Sequence, residues 1–168
     1  ASQLASTLLG DDIMARRELF FFSDPRDPRD MFKWLARYLA ADQGLRTRVQ
    51  RTVDFAVNGK QFMMEGLRNT SEVAARMASR LGSSQGVQET LRFVFENWDG
   101  SGPHAQRAAE IPMLSRIVYA TIFVEVFHQN WGRETAVKVA RMRRGKTLDP
   151  AVVDAFVRLA ASEEFWKG

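Results

Sequence analysis

Pro112-Met113-Leu114-Ser115-Arg116-Ile117-Val118-Tyr119-Ala120-Thr121-Ile122-Phe123-Val124-Glu125-Val126 decides the fold class. Leu114, Ile117, Val118, Ile122 and Val126 recur at three- and four-residue intervals, the period of a helix and not of a strand. Pro112 suits a helix start, because the first turn has no use for the N–H that proline lacks. Downstream, Glu134 to Arg143 and Pro150 to Ala160 read as two shorter helices, the first stopped at Gly145. Upstream lies a loop from Asp99 to Ile111, rich in Gly, Pro, Ala and charge. Before it, Ser83 or Ser84 caps a helix carrying Val87, Leu91, Val94 and Phe95 that runs to about Trp98.

The same period continues towards the N-terminus. Phe62 to Leu81 reads as a long helix closed by Gly82, and Gly44 and Gly59 bracket another with Val49, Val53, Phe55 and Ala56. Asp27-Pro28 opens a helix through Met31, Phe32, Trp34, Leu35, Tyr38 and Leu39, whose stripe is core. Asp11 and Asp12 cap a first helix that carries Phe20-Phe21-Phe22 and ends at Ser23-Asp24-Pro25. No stretch alternates long enough for a half-buried strand. The pattern predicts an all-α, multi-helix bundle, one compact domain in which residues 1–65 pack on residues 66–168.

The 168 residues, 45% of them hydrophobic, suffice for one sizeable core and fall short of two. Twenty-four basic against 20 acidic residues give a charge of +4, spread along the chain, which favours solubility and disfavours nucleic acid as the partner. Without cysteine there is no disulfide, thiolate ligand or thiol nucleophile. No apolar run approaches the roughly 20 residues of a membrane span, and the N-terminus from Ala1-Ser2-Gln3 lacks the basic-then-apolar order of a signal peptide. A cytoplasmic protein without membrane partners is expected, and the missing initiator Met fits a truncated or processed chain.

The residues alone offer no catalytic constellation. The two histidines, His104 in the loop and His128 at a helix end, share no face with a carboxylate, whereas a zinc site needs three or four converging ligands. His128 is expected to face helix-end carbonyls and His104 to be solvated. Asp99-Gly100-Ser101-Gly102 lacks the Lys-Ser/Thr of a phosphate loop, and His104 stands where a calcium loop needs glycine. Ser71 to Phe95 has the outline of a helix-turn-helix, but Leu91, Phe93, Val94 and Phe95 are too apolar for a DNA groove. Arg141, Arg143, Arg144 and Lys146 are a candidate anion patch, better explained as cations at a helix C-terminus. Asp11/Asp12 and Glu163/Glu164 are adjacent in sequence and point apart on a helix.

Phe95-Glu96-Asn97-Trp98-Asp99-Gly100-Ser101-Gly102-Pro103, then Ala108-Ala109-Glu110-Ile111-Pro112 and Ser115-Arg116-Ile117-Val118, form an ordered set of blocks. They resemble the hallmark region of HD-GYP domains: two histidines, Glu, any residue, Trp-Asp-Gly, then Ser-Gly-Tyr-Pro, Glu-Ile-Pro and Ala-Arg-Ile-Val. Ser71-Glu72-Val73-Ala74, Arg80-Leu81-Gly82 and Leu148-Asp149-Pro150 extend the resemblance over roughly residues 66 to 160. It implies an HD-domain-like bundle, and in active members hydrolysis of cyclic di-GMP at two or three metals, commonly iron or manganese. Residues 1 to 65 resemble the helical stretch between the two halves of a divergent group, so this chain corresponds to the C-terminal half.

The departures govern the functional expectation. The resemblance places lost metal ligands at Thr70, Val94, Phe95 and Ile122, and the signature tyrosine is deleted between Gly102 and Pro103. Val, Phe and Ile offer no donor to a metal, so no metal and no cofactor is expected. Glu96, Trp98, Asp99, Gly100, Gly102 and Pro103 remain as hallmark-loop residues that a loop can use structurally. The resemblance therefore implies a catalytically inactive regulatory or interaction module of a bacterial signalling protein. Its partners would be other domains of its parent or another protein, with a homodimer as a further option. One alternative is a metal-dependent phosphohydrolase completed by an upstream half. Another is non-hydrolytic nucleotide or nucleic-acid binding through Arg116, Arg141, Arg143 and Arg144, an anion patch. Phe20-Phe21-Phe22, Phe62, Met63 and Met64 are candidates for surface that meets other helices.

Overall fold

Helix α1 runs without interruption from Leu45 to Arg80. The computed structural model describes residues 45–167, with side chains at residue 61 and from 63 onward. The capped first helix, the Phe20-Phe21-Phe22 patch, the Met31 to Leu39 stripe and the Phe62 side chain lie outside these. The chain divides into two compact units, Ala1–Met63 and Met64–Gly168.

Gly59 does not end a helix as the sequence suggested. A glycine inside a helix costs only about 1 kcal/mol against alanine, and no proline or capping residue follows to enforce a stop. Gly82 does end α1. With φ of 73° it takes the left-handed conformation that closes a Schellman cap: Ser83 N–H donates to Ala78 O and Gly82 N–H to Ser79 O, both at 3.0 Å. Ser71, Ala75 and Ala78, at helical spacing, are buried.

Ser84 caps α2, Gln85–Arg92. This helix stops well short of Trp98, because the chain turns at Phe93 and carries Val94 and Glu96 inside. Aromatic and β-branched residues at 93–95 weaken a helix there. A 3-10 turn at Ala108–Glu110 precedes α3, Met113–Arg143, which is broken at Gly132 (φ 80°, ψ 173°). The break separates the two helical stretches read from sequence. Gly145 (φ 74°) turns the chain out of α3, and its N–H donates to Leu148 O at 2.9 Å. Asp149 caps α4, Pro150–Leu159, by accepting from Ala151 N–H at 2.7 Å, with Pro150 in the first turn. A last 3-10 turn spans Glu164–Lys167. The described residues contain no strand, so the fold is all-α.

The register of α3 differs from the expected one. Leu114, Ile117, Val118 and Ile122 are 37–56% exposed, while Ser115, Ala120, Phe123 and Phe127 face the core. This helix is apolar on nearly every side, so periodicity alone could not select its inner face. Small residues selected it: Ser115 lets α3 close onto α2, and its hydroxyl donates to Thr90 O at 3.1 Å. Ile111, Leu148 and Val153 complete the core, each at most 2% exposed.

Nothing lies within 4 Å of the position of a Cβ at Gly82, so Gly82→Ala tests the backbone alone. It should destabilise the protein by about 1 kcal/mol in urea unfolding.

Candidate functional site

The hallmark loop is organised around a buried carboxylate. Glu96 has a fully buried side chain. It accepts hydrogen bonds from the backbone N–H of His104 at 2.6 Å and of Gln106 at 3.0 Å, and faces His104 Nδ1 at 3.1 Å. Burying a carboxylate costs several kcal/mol unless its oxygens are satisfied, and here the loop itself satisfies them. Gly102 makes the approach feasible: a Cβ there would sit 2.7 Å from Glu96 Oε2 and from Asn97 N.

His104, expected in solvent, is only 11% exposed at its side chain. Its ring packs edge-on to Phe93 at 5.3 Å. Its Nε2 lies 3.5 Å from Glu72 Oε1 of α1, and Arg92 Nε lies 3.3 Å from the same oxygen. Both contacts lack hydrogen-bond geometry, so the attraction is Coulombic. Sequence reading missed the Glu72–His104 contact, because positions 32 residues apart share no periodic signal. His128 lies in the last turn of the first stretch of α3, the helix end where the sequence put it. It stands before the Gly132 break with its ring 4.5 Å from that of Trp166 and Nδ1 3.9 Å from Glu125.

A second set of contacts ties the loop to α3 and α4. Asp99 Oδ1 accepts from Ser101 N–H at 3.0 Å and from its hydroxyl at 2.6 Å, bracing a turn in which Gly100 has φ of 82°. Asp99 N–H donates to Lys146 O at 2.9 Å, and Trp98 N–H to Thr147 O at 3.2 Å. Arg116 lies over the Trp98 ring, 5.6 Å from its centroid, and donates to buried Asp149 at 2.8 Å. Trp98, Arg116 and Asp149, from three separate sequence blocks, thus form one stack. Pro103 is half-buried in the same loop.

The positions where the resemblance placed lost ligands offer a metal little. Thr70 is exposed and its hydroxyl donates to Gly66 O at 2.9 Å. Val94 is buried, Phe95 half-buried and Ile122 40% exposed. Among the described residues no group of three or more His, Cys, Asp or Glu is placed to hold a metal ion. A metal centre of the HD-GYP kind does not fit this donor set.

The four arginines of the candidate anion patch are not brought together as one cationic surface. Arg116 is held by Asp149, and Arg144 is held by both oxygens of Asp154 at 2.8 and 2.7 Å. That pair keeps the Asp154 carboxyl below its ordinary range. Arg143 acts on Tyr119, whose hydroxyl is pushed up to about 12 by burial against the opposing pull of Arg143. Arg141 is exposed.

No family model and no curated protein sequence matches the chain. A solved structure does. The chain resembles a cyclic GMP-AMP specific phosphodiesterase of V. cholerae with a TM-score of 0.64 and 24% sequence identity. The two share a fold. The match covers 82% of this chain and 34% of that one, so the chain spans about a third of its neighbour's length. No helix among the described residues is long and apolar enough to cross a membrane.

Two substitutions test the loop's construction. Gly102→Ala should cost about 2–3 kcal/mol, because backbone rather than a flexible side chain blocks the new Cβ. Hydrogen exchange should localise the loosening to residues 96–108. Asp149→Ala removes a helix cap and leaves Arg116 unpaired, and should lower stability by about 3 kcal/mol in urea unfolding.

Proposed function

We propose that this chain is the C-terminal half of an HD-GYP-like module that works in regulation or protein interaction and does not hydrolyse cyclic dinucleotides. The observation that carries this reading is the use made of the hallmark residues. Glu96, Asp99 and Gly102 are consumed in holding the loop, and Thr70, Val94, Phe95 and Ile122 supply no ligand set. The shared fold with a phosphodiesterase supports descent from a hydrolase. Its output would be shape: a loop fixed by Glu96 and by the Trp98–Arg116–Asp149 stack, presented to another domain or a protein partner in the cytoplasm of a bacterium. The rival reading, hydrolysis completed by an upstream half, is favoured by the neighbour's activity and requires donors from elsewhere.

The purified protein should contain no stoichiometric iron or manganese by inductively coupled plasma mass spectrometry. It should not turn over cyclic GMP-AMP or cyclic di-GMP in added manganese. Stoichiometric metal together with turnover would overturn the proposal.

A further inference from the structure

Beyond the Gly132 break, Glu134, Val137, Lys138, Arg141 and Met142 fall at i, i+3, i+4, i+7 and i+8, one face of the second stretch of α3. With Arg133, Ala160 and Trp166 they line an open groove of about 500 Å³, within the size range of small-ligand sites. The groove has two characters. Val137, Met142 and the Trp166 indole make it apolar, and Met142 is 65% exposed.

Three cations, Arg133, Lys138 and Arg141, stand against one lining acid, Glu134. Arg133 is paired with Glu163 outside the groove. Lys138 and Arg141 are exposed and have no ion pair or side-chain hydrogen bond among the described residues, whereas nearby Arg144 is neutralised by Asp154. The indole is also held in place before any ligand arrives. Its Nε1–H donates to Ala160 O at 2.9 Å, and Phe165 and His128 pack against the ring at 5.1 and 4.5 Å.

We propose that this groove binds a mononucleotide. The flat base packs on the apolar wall beside Trp166, and the phosphate lies between Lys138 and Arg141. A purely apolar ligand would leave the two cations unused, and a bare anion would leave the indole and Met142 in water. A phosphate joined to an aromatic ring answers both, since a dianion suits two cations on one helix face and every base presents a face for stacking. The site is separate from the hallmark loop and does not depend on that loop's role.

The test is an NMR titration of the full ¹⁵N-labelled chain with GMP, guanosine and inorganic phosphate, following the indole N–H signals, with Trp166→Phe identifying that of Trp166. GMP should shift the Trp166 signal saturably. Guanosine and phosphate should each bind at least about tenfold more weakly, as should GMP to the Lys138→Ala/Arg141→Ala variant. Both substituted residues are exposed, and an unchanged melting temperature shows that the variant is folded. An unmoved Trp166 signal, undiminished binding by the variant, or phosphate binding as tightly as GMP would each overturn the proposal.

Discussion

The structure hangs on the burial of one carboxylate. Glu96 cannot sit inside the protein unless something replaces the water it gives up, and the replacement is the backbone of the loop that follows it. The helix before it must therefore end early, Gly102 must have no side chain, and residues 102–106 must turn back over the carboxylate. His104 follows from the same constraint. Its backbone and its ring both meet Glu96, and this places the ring between Glu96 and Glu72. Once the loop is set, Trp98 is positioned for Arg116, and Arg116 for Asp149, so the start of α4 is tied to the loop through side chains of three segments.

The helical character of the chain was legible from spacing, and so were the punctuation marks that depend on one residue's chemistry: Gly82, the serine pair Ser83-Ser84, Gly145 and Pro150. Two kinds of feature were not. Where a helix is apolar nearly all round, as α3 is, the inner face is chosen by how closely neighbours approach. Ser115 and Ala120 decided that, against the larger Leu114 and Ile122. Gly59 misled for the opposite reason, since a local preference was weighed without the long helix around it. The candidate site was legible as a set of blocks but not as a set of contacts. Asp99 bracing its turn could be expected from sequence. The Glu72–His104–Glu96 contacts and the Trp98–Arg116–Asp149 stack could not, since each joins positions with no common period.

The relation between fold and chemistry is instructive at Glu96 and Asp99. A carboxylate that ligates a metal must present lone pairs to open space. Here the donors that fill those lone pairs are amides and a hydroxyl of the chain itself. These residues thus serve the loop itself, and a likeness of motif carries over the framework more securely than the reaction.

Ala105 and Ala108 both have positive φ, 57° and 51°, a conformation that costs alanine roughly 1 kcal/mol or more. They flank Gln106 and Arg107, whose backbone N–H groups donate to Glu96 and Glu110, so the strain sits in the segment that the carboxylates clamp. A loop held in this way resembles a bent spring under a latch. Its shape records the strength of the groups that restrain it, and a chain with glycine at both positions would keep the same outline while storing none of that tension.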